Sequence, residues 1–142
     1  MNDISVVALF CLDVRQEKGG TETIVGIFPD NVNIPSFPGG FVQMTIYVRM
    51  HLSTSYRPGQ IITRILLPDG SELDRSEIEQ SRLEEAREKA KGNGNSHVGT
   101  ITKFTVAPLR INEPDRIQAI VSVDGLDIVA GTLNCRPIPA ST

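Results

Sequence analysis

From Phe41 to Leu52 the chain alternates without a break. Val42, Met44, Ile46, Val48, Met50 and Leu52 fall on one side, and Gln43, Thr45, Tyr47, Arg49 and His51 on the other. A period of two belongs to a strand, because successive side chains leave a pleated backbone on opposite faces. One apolar face and one wet face mark a strand of an antiparallel sheet that lies on a core. A helix would need its apolar residues at a spacing of 3.6. This segment therefore commits the chain to a sheet protein with a core on one side.

The flanking segments repeat the message. Ile4–Arg15 carries Ile4, Val6, Ala8, Phe10, Leu12 and Val14 on one face, while Val7, Leu9 and Cys11 make the other face partly apolar. Coverage on both sides is expected. A polar turn at residues 16–20 leads to a strand over Thr21–Phe28, and the short link predicts a hairpin. Residues 29–40, with three prolines and two glycines, read as an irregular loop. Further strands are predicted over Gln60–Leu67, His97–Ala107, Arg116–Val123 and Leu126–Cys135, the last two joined by Asp124-Gly125 as a hairpin turn. Pro108–Pro114 reads as a crossing loop, and the residues from Arg136 onward as a loose tail. Composition agrees: Ile and Val together number 27 against 10 Leu, and β-branched side chains suit a pleated surface.

One helix interrupts the strands, at about residues 77–91, within an insertion spanning about 75–91. Ser76 with Glu79 has the form of a capping box, and Gly92 of a C-terminal stop. Arg75–Glu79, Glu85–Lys89 and Glu84–Arg87 have helical pair spacing. The apolar stripe is thin, Leu83, Ala86 and Ala90, so the helix is expected at the margin of the domain and dispensable to its core. The predicted architecture is a mainly β, seven-stranded antiparallel immunoglobulin-like sandwich (strands A to G) in residues 1–135, with the helix between D and E and a tail over 136–142. A closed barrel is the alternative.

Charge and motif content exclude several function classes. A net charge of −3, a pI near 5.4, 5% aromatics and no Trp argue against a basic nucleic-acid surface. The longest uncharged run, 31–48, contains Pro35, Pro38, Gly39 and Gly40 and cannot cross a bilayer as a helix. Cys11 and Cys135 are too few for a disulfide scaffold and read as buried thiols of a cytoplasmic protein. His51 and His97 lack metal-ligand spacing, so no metal or cofactor is expected. Asp30, Asp69, Glu72, Asp74, Asp124 and Asp127 would have to converge from separate loops to hold calcium, and the Asp-Gly pairs already suit turns. No nucleophile–base set stands out, so no catalytic residue is predicted.

The first thirty residues carry a resemblance. The run Phe10-Cys11-Leu12-Asp13-Val14-Arg15-Gln16-Glu17-Lys18-Gly19-Gly20, followed by Ile24-Val25-Gly26-Ile27-Phe28, resembles the opening of a family of small bacterial proteins of unknown function. That family's pattern is a strand ending Cys-Asp-x-Val-Arg-x-Glu, a glycine turn, and a strand ending Gly-Ile-Tyr. Here Leu12 separates Cys11 from Asp13, and Phe28 replaces the tyrosine. Weaker likeness continues through Pro35, Pro38 and Val121–Gly125. The resemblance implies a bacterial, cytoplasmic β-sandwich and brings no activity.

The expected function is thus a non-catalytic binding or structural module that meets another protein or a second copy of itself, with no nucleic-acid or membrane partner. Its candidate interaction residues are Asp13, Arg15 and Glu17 at the charged end of the first strand, and Tyr47 and Arg49 on the wet face of the alternating strand. The rival is a small-ligand binder or enzyme with a loop-built site near Asp13, Arg15 and the 30–40 loop.

Overall fold

The structure, a computed structural model, describes residues 3–139. In chain order it comprises β1 (Ile4–Gln16), β2 (Glu22–Ile27), β3 (Asn31–Ile34), β4 (Gly39–Phe41), β5 (Met44–Ser53), β6 (Ile61–Leu66), β7 (Glu72–Glu77), α1 (Gln80–Gly92), β8 (His97–Val106), β9 (Leu109–Ile111), β10 (Asp115–Val123) and β11 (Leu126–Pro137). Among the described residues the fold is mainly β with one helix, as expected.

All seven predicted strands are present, as β1, β2, β5, β6, β8, β10 and β11; four more lie where the sequence reads as loop or helix cap. The sheets run β2-β1-β5-β8, β3-β11-β10-β6-β7 and β4-β9. This corrects two expectations. An immunoglobulin domain places A, B, E and D in one sheet and C, F and G in the other, whereas here A, B, C and E share a sheet and D, F and G share the next. Nor is the pairing wholly antiparallel, since β3 runs parallel to β11.

The two large sheets face each other across one core. From β5 come Met44, Ile46, Val48, Met50 and Leu52, none more than 2% exposed. Opposite them stand Ile61 and Ile65 of β6, Ile117, Ala119 and Val121 of β10, and Leu133 and Cys135 of β11. The alternation of β5 is real, but it begins at Met44. Val42 precedes the strand and is 90% exposed, against the expectation that it joins the inward set.

β1 departs from its pattern halfway along. Its first half pairs with β5 (Ile4↔Leu52 to Cys11↔Thr45), and its second half only with β2 (Asp13↔Val25 to Gln16↔Glu22). Between them Leu12 turns outward, 46% exposed, and lies over Gly26, whose φ of +68° suits a residue without a side chain. A Cβ on Gly26 would sit 2.6 Å from Leu12 Cδ1. The bend folds the β1–β2 hairpin back over the outer face of its sheet. Glu22 of β2 forms an ion pair with Lys103 of β8, although β1 and β5 lie between those two strands.

The helix departs from expectation at both ends and in its burial. Residues 72–77 form the charged edge strand β7, where Arg75 pairs with Glu72 at 3.1 Å and not with Glu79. Ser76 is therefore a strand residue, and the N-cap, Glu79, has no side-chain cap bond. Gly92 ends the helix, Asn93 caps it, and the left-handed residue is Gly94 (φ +76°). Leu83 and Ala90 belong to the core, and with them Arg87, only 2% exposed. Arg136 and Pro137 are not a loose tail; they pair with Asn33 and Ile34. Residues 140–142 of the expected tail lie outside the described residues.

Candidate functional site

At one end of the molecule the bent hairpin meets the ribbon β4–β9. The ribbon is held by backbone proximity: a Cβ on Gly40 would lie 2.0 Å from the carbonyl oxygen of Leu109, so only glycine fits. Phe28 and Phe41 then stack edge to face, with ring centroids 5.2 Å apart. Between hairpin and ribbon runs an open groove of about 530 Å³, floored by Leu12, Val25, Phe28 and Phe41. On the other side of Val42 is a second depression of about 370 Å³, lined by Pro38, Gly39, Pro108 and Leu109, with Arg110 at its rim. Gly40, Phe41 and Val42 border both. Val42 is thus an apolar knob between two apolar hollows, and exposed Leu12 extends the patch.

The groove's polar groups sit on its rim. Arg15 Nε lies 3.7 Å from Asp13 Oδ2, with the two side chains 66% and 42% exposed. Asp13 Oδ1 accepts from the Val14 amide at 2.9 Å and from Gln43 Nε2 at 3.4 Å, and Gln43 Nε2 also donates to the Leu12 carbonyl at 3.1 Å. Gln43 therefore anchors the hairpin to the segment that carries Val42.

The five sequence-derived candidates separate. Asp13 and Arg15 line the groove together with Gly40, the end of the 30–40 loop. Glu17 sits at the hairpin turn and accepts from Thr23 Oγ1 at 2.9 Å. Tyr47 and Arg49 point from the outer face of β5, flanked by Leu9 and Lys103 and by Val7 and Ile101. Val7 and Ile101 are about half exposed, so this face is partly apolar as well. Sequence reasoning missed Val42 and Phe41 because the alternation runs on through them ahead of Met44, where the strand begins, and missed Pro108 because its segment has no periodicity. The available signal was Phe37-Pro38-Gly39-Gly40-Phe41-Val42, an apolar cluster inside a loop.

Other polar groups have local partners. Asp124 accepts from the Gly59 and Gln60 amides at 3.1 and 2.7 Å. Asp127 accepts from Ser122, which with Arg64 holds its carboxyl below the usual range. Asp69 is lowered by Ser71, and Glu72 pairs with Arg75. These carboxylates are spent on turns and strand pairs instead of converging on an ion. The thiols of Cys11 and Cys135 are free and buried. Burial raises both, Cys135 to about 11, which suppresses thiolate chemistry at neutral pH. A third hollow, about 400 Å³, lies between the end of β7, the start of α1 and β8; Glu77 and Glu79 flank its helix end.

Neither hollow beside Val42 is lined by a Ser, Thr, Cys or His. One carboxylate, two guanidinium groups and one amide around apolar floors can bind and orient, but they supply no nucleophile–base pair. Among the described residues no helix is long and apolar enough to cross a membrane. A family model described as a family of unknown function, DUF6941, matches residues 6–135. No curated protein and no solved structure matches the chain.

Proposed function

The chain belongs to DUF6941, a family of unknown function, and from that premise we propose that it is a non-catalytic protein-binding module whose working surface is the patch around Val42. The observation that carries this reading is the 90% exposure of Val42 between two apolar hollows. An isolated exposed apolar residue needs no explanation, but a contiguous apolar patch with a polar rim is the anatomy of a protein interface. The groove is also open along its length, whereas small-molecule sites enclose most of their ligand. Two free buried thiols support a reducing, cytoplasmic setting, and the likeness of the first strand supports a bacterial one.

The test is a photoreactive benzophenone side chain placed at Val42 in bacterial cells, with Glu88 on the exposed face of α1 as the control position. The expected result is a protein adduct at position 42 and none at position 88. A bare position 42 overturns this reading, and a small molecule retained in native mass spectrometry then favours a small-ligand site.

A further inference from the structure

Resting on that reading, we propose that the partner at the patch is a second copy of this chain. In this isologous dimer each Val42 enters the other's groove, and each Asp13 meets the other's Arg15.

Two features of the patch argue for a self-partner. A two-fold interface uses one surface twice, so that surface must carry both a projection and the hollow that receives it. Here knob and hollow adjoin: Val42 borders the groove floored by Leu12, Phe28 and Phe41. The second feature is charge. A partner of one charge sign would be met best by a rim of the opposite sign. The rim of the groove that would receive Val42 instead carries one acid and one base 3.7 Å apart, while Arg110 lies beside the second hollow. A two-fold axis beside such a pair converts one intrachain contact into two reciprocal interchain contacts, Asp13 to Arg15 and Arg15 to Asp13. Two other sheet edges are less suited to self-pairing. β7 is charged along its length, and the start of α1 lies against β8.

Sedimentation velocity over a concentration series, with native mass spectrometry, decides the matter. The wild-type chain is expected to pass from 15.5 kDa to twice that mass as concentration rises. V42D is expected to raise the dimer dissociation constant about tenfold or more, since it sets a carboxylate in an apolar hollow. D13R alone and R15E alone each juxtapose like charges at both contacts and are expected to be monomeric. Mixed together they place opposite charges at both, so the heterodimer is expected to form. Arg15 and Val42 are exposed and Asp13 is partly so, and unchanged circular dichroism confirms that the variants fold.

A wild-type chain that stays monomeric at every concentration overturns the proposal, as does a V42D dimer as tight as the wild type. A mixture of D13R and R15E that remains monomeric overturns the reciprocal pairing. The benzophenone adduct separates this proposal from the one beneath it. An adduct to a different protein defeats self-association and leaves the binding module standing, whereas no adduct defeats both.

Discussion

The two large sheets are closed in opposite ways along their two sides. Along β1 and β11 the backbones come together because a side chain is missing. A Cβ on Gly131 would lie 2.9 Å from the Ala8 carbonyl oxygen and 3.0 Å from Ala8 Cβ. The groups that meet there are the Ala8 carbonyl, its methyl and the Phe10 ring, none of them charged. Along β7 and β8 the sheets stand apart, and α1 fills the gap with Leu83, Ala90 and Arg87. Arg87 Nη1 holds Glu84 at 3.0 Å and Nη2 donates to the Tyr56 carbonyl at 2.8 Å, while Glu84 also takes Arg57. Arg87 Nε has no partner among the described residues. The seam rests on uncharged groups in close approach. The helix side depends on an ion network whose inner member has left water, and such a network is held by its geometry more than by its net energy.

The largest effect that would break this contrast is removal of the helix. Replacing residues 79–95 with a Gly-Ser linker strips Leu83, Arg87 and Ala90 from the core, and the expected result is loss of the cooperative thermal transition, because the deficit exceeds about 5 kcal/mol. A deletion protein that melts like the wild type would show that α1 is only a cover. Next, Leu83→Ala should cost about 3 kcal/mol in urea denaturation. Gly131→Ala should cost about 2 kcal/mol from overpacking alone, since no positive φ is at stake there. If Gly131→Ala proves silent, the seam is looser than its distances indicate. Arg87→Met should be neutral or stabilising by about 1 kcal/mol, while Glu84→Gln should be worse than Arg87→Met, because it leaves the buried guanidinium without its counter-charge. The smallest effect is on pH. Arg87 and then Arg57 hold the Glu84 carboxyl below its ordinary value of 4.5. Its contribution is therefore present above that value and is lost as pH falls through the lower folded one. Acid melts of the wild type should show this loss, Glu84→Gln should not, and Gly131→Ala should retain it.

The sequence made the core strands legible because burial on one face writes a period of two. β5, β10 and the first half of β1 follow it with almost every inward residue correct. β7 was unreadable for the opposite reason: Glu72–Glu77 is an exposed edge whose charges carry no burial signal and mimic a helix cap. β3, β4 and β9 are three or four residues long, too short for any period. Arg87 was read only as the helical partner of Glu84, since nothing in the sequence distinguishes a guanidinium that reaches water from one that reaches the Tyr56 carbonyl. At the groove, Asp13 and Arg15 were found because charges at the end of an apolar strand stand out. Val42 was assigned to the wrong face because β5 begins two residues later than the alternation does.

The parallel pairing of β3 with β11 has a consequence in time. The side chain of Asn134 reaches the Asp30 carbonyl 104 positions earlier in the chain. A ribosome adding roughly 5–20 residues per second leaves β3 without its neighbour for on the order of ten seconds. Closing so long a loop is also slow in a refolding tube, because the contact is repaid only after its entropy has been lost. During that interval the first strands form an incomplete molecule with an open edge. β3 is only four residues long, Asn31-Val32-Asn33-Ile34, which makes it a poor template for a neighbouring nascent chain. Its shortness protects the molecule before the fold exists to do so.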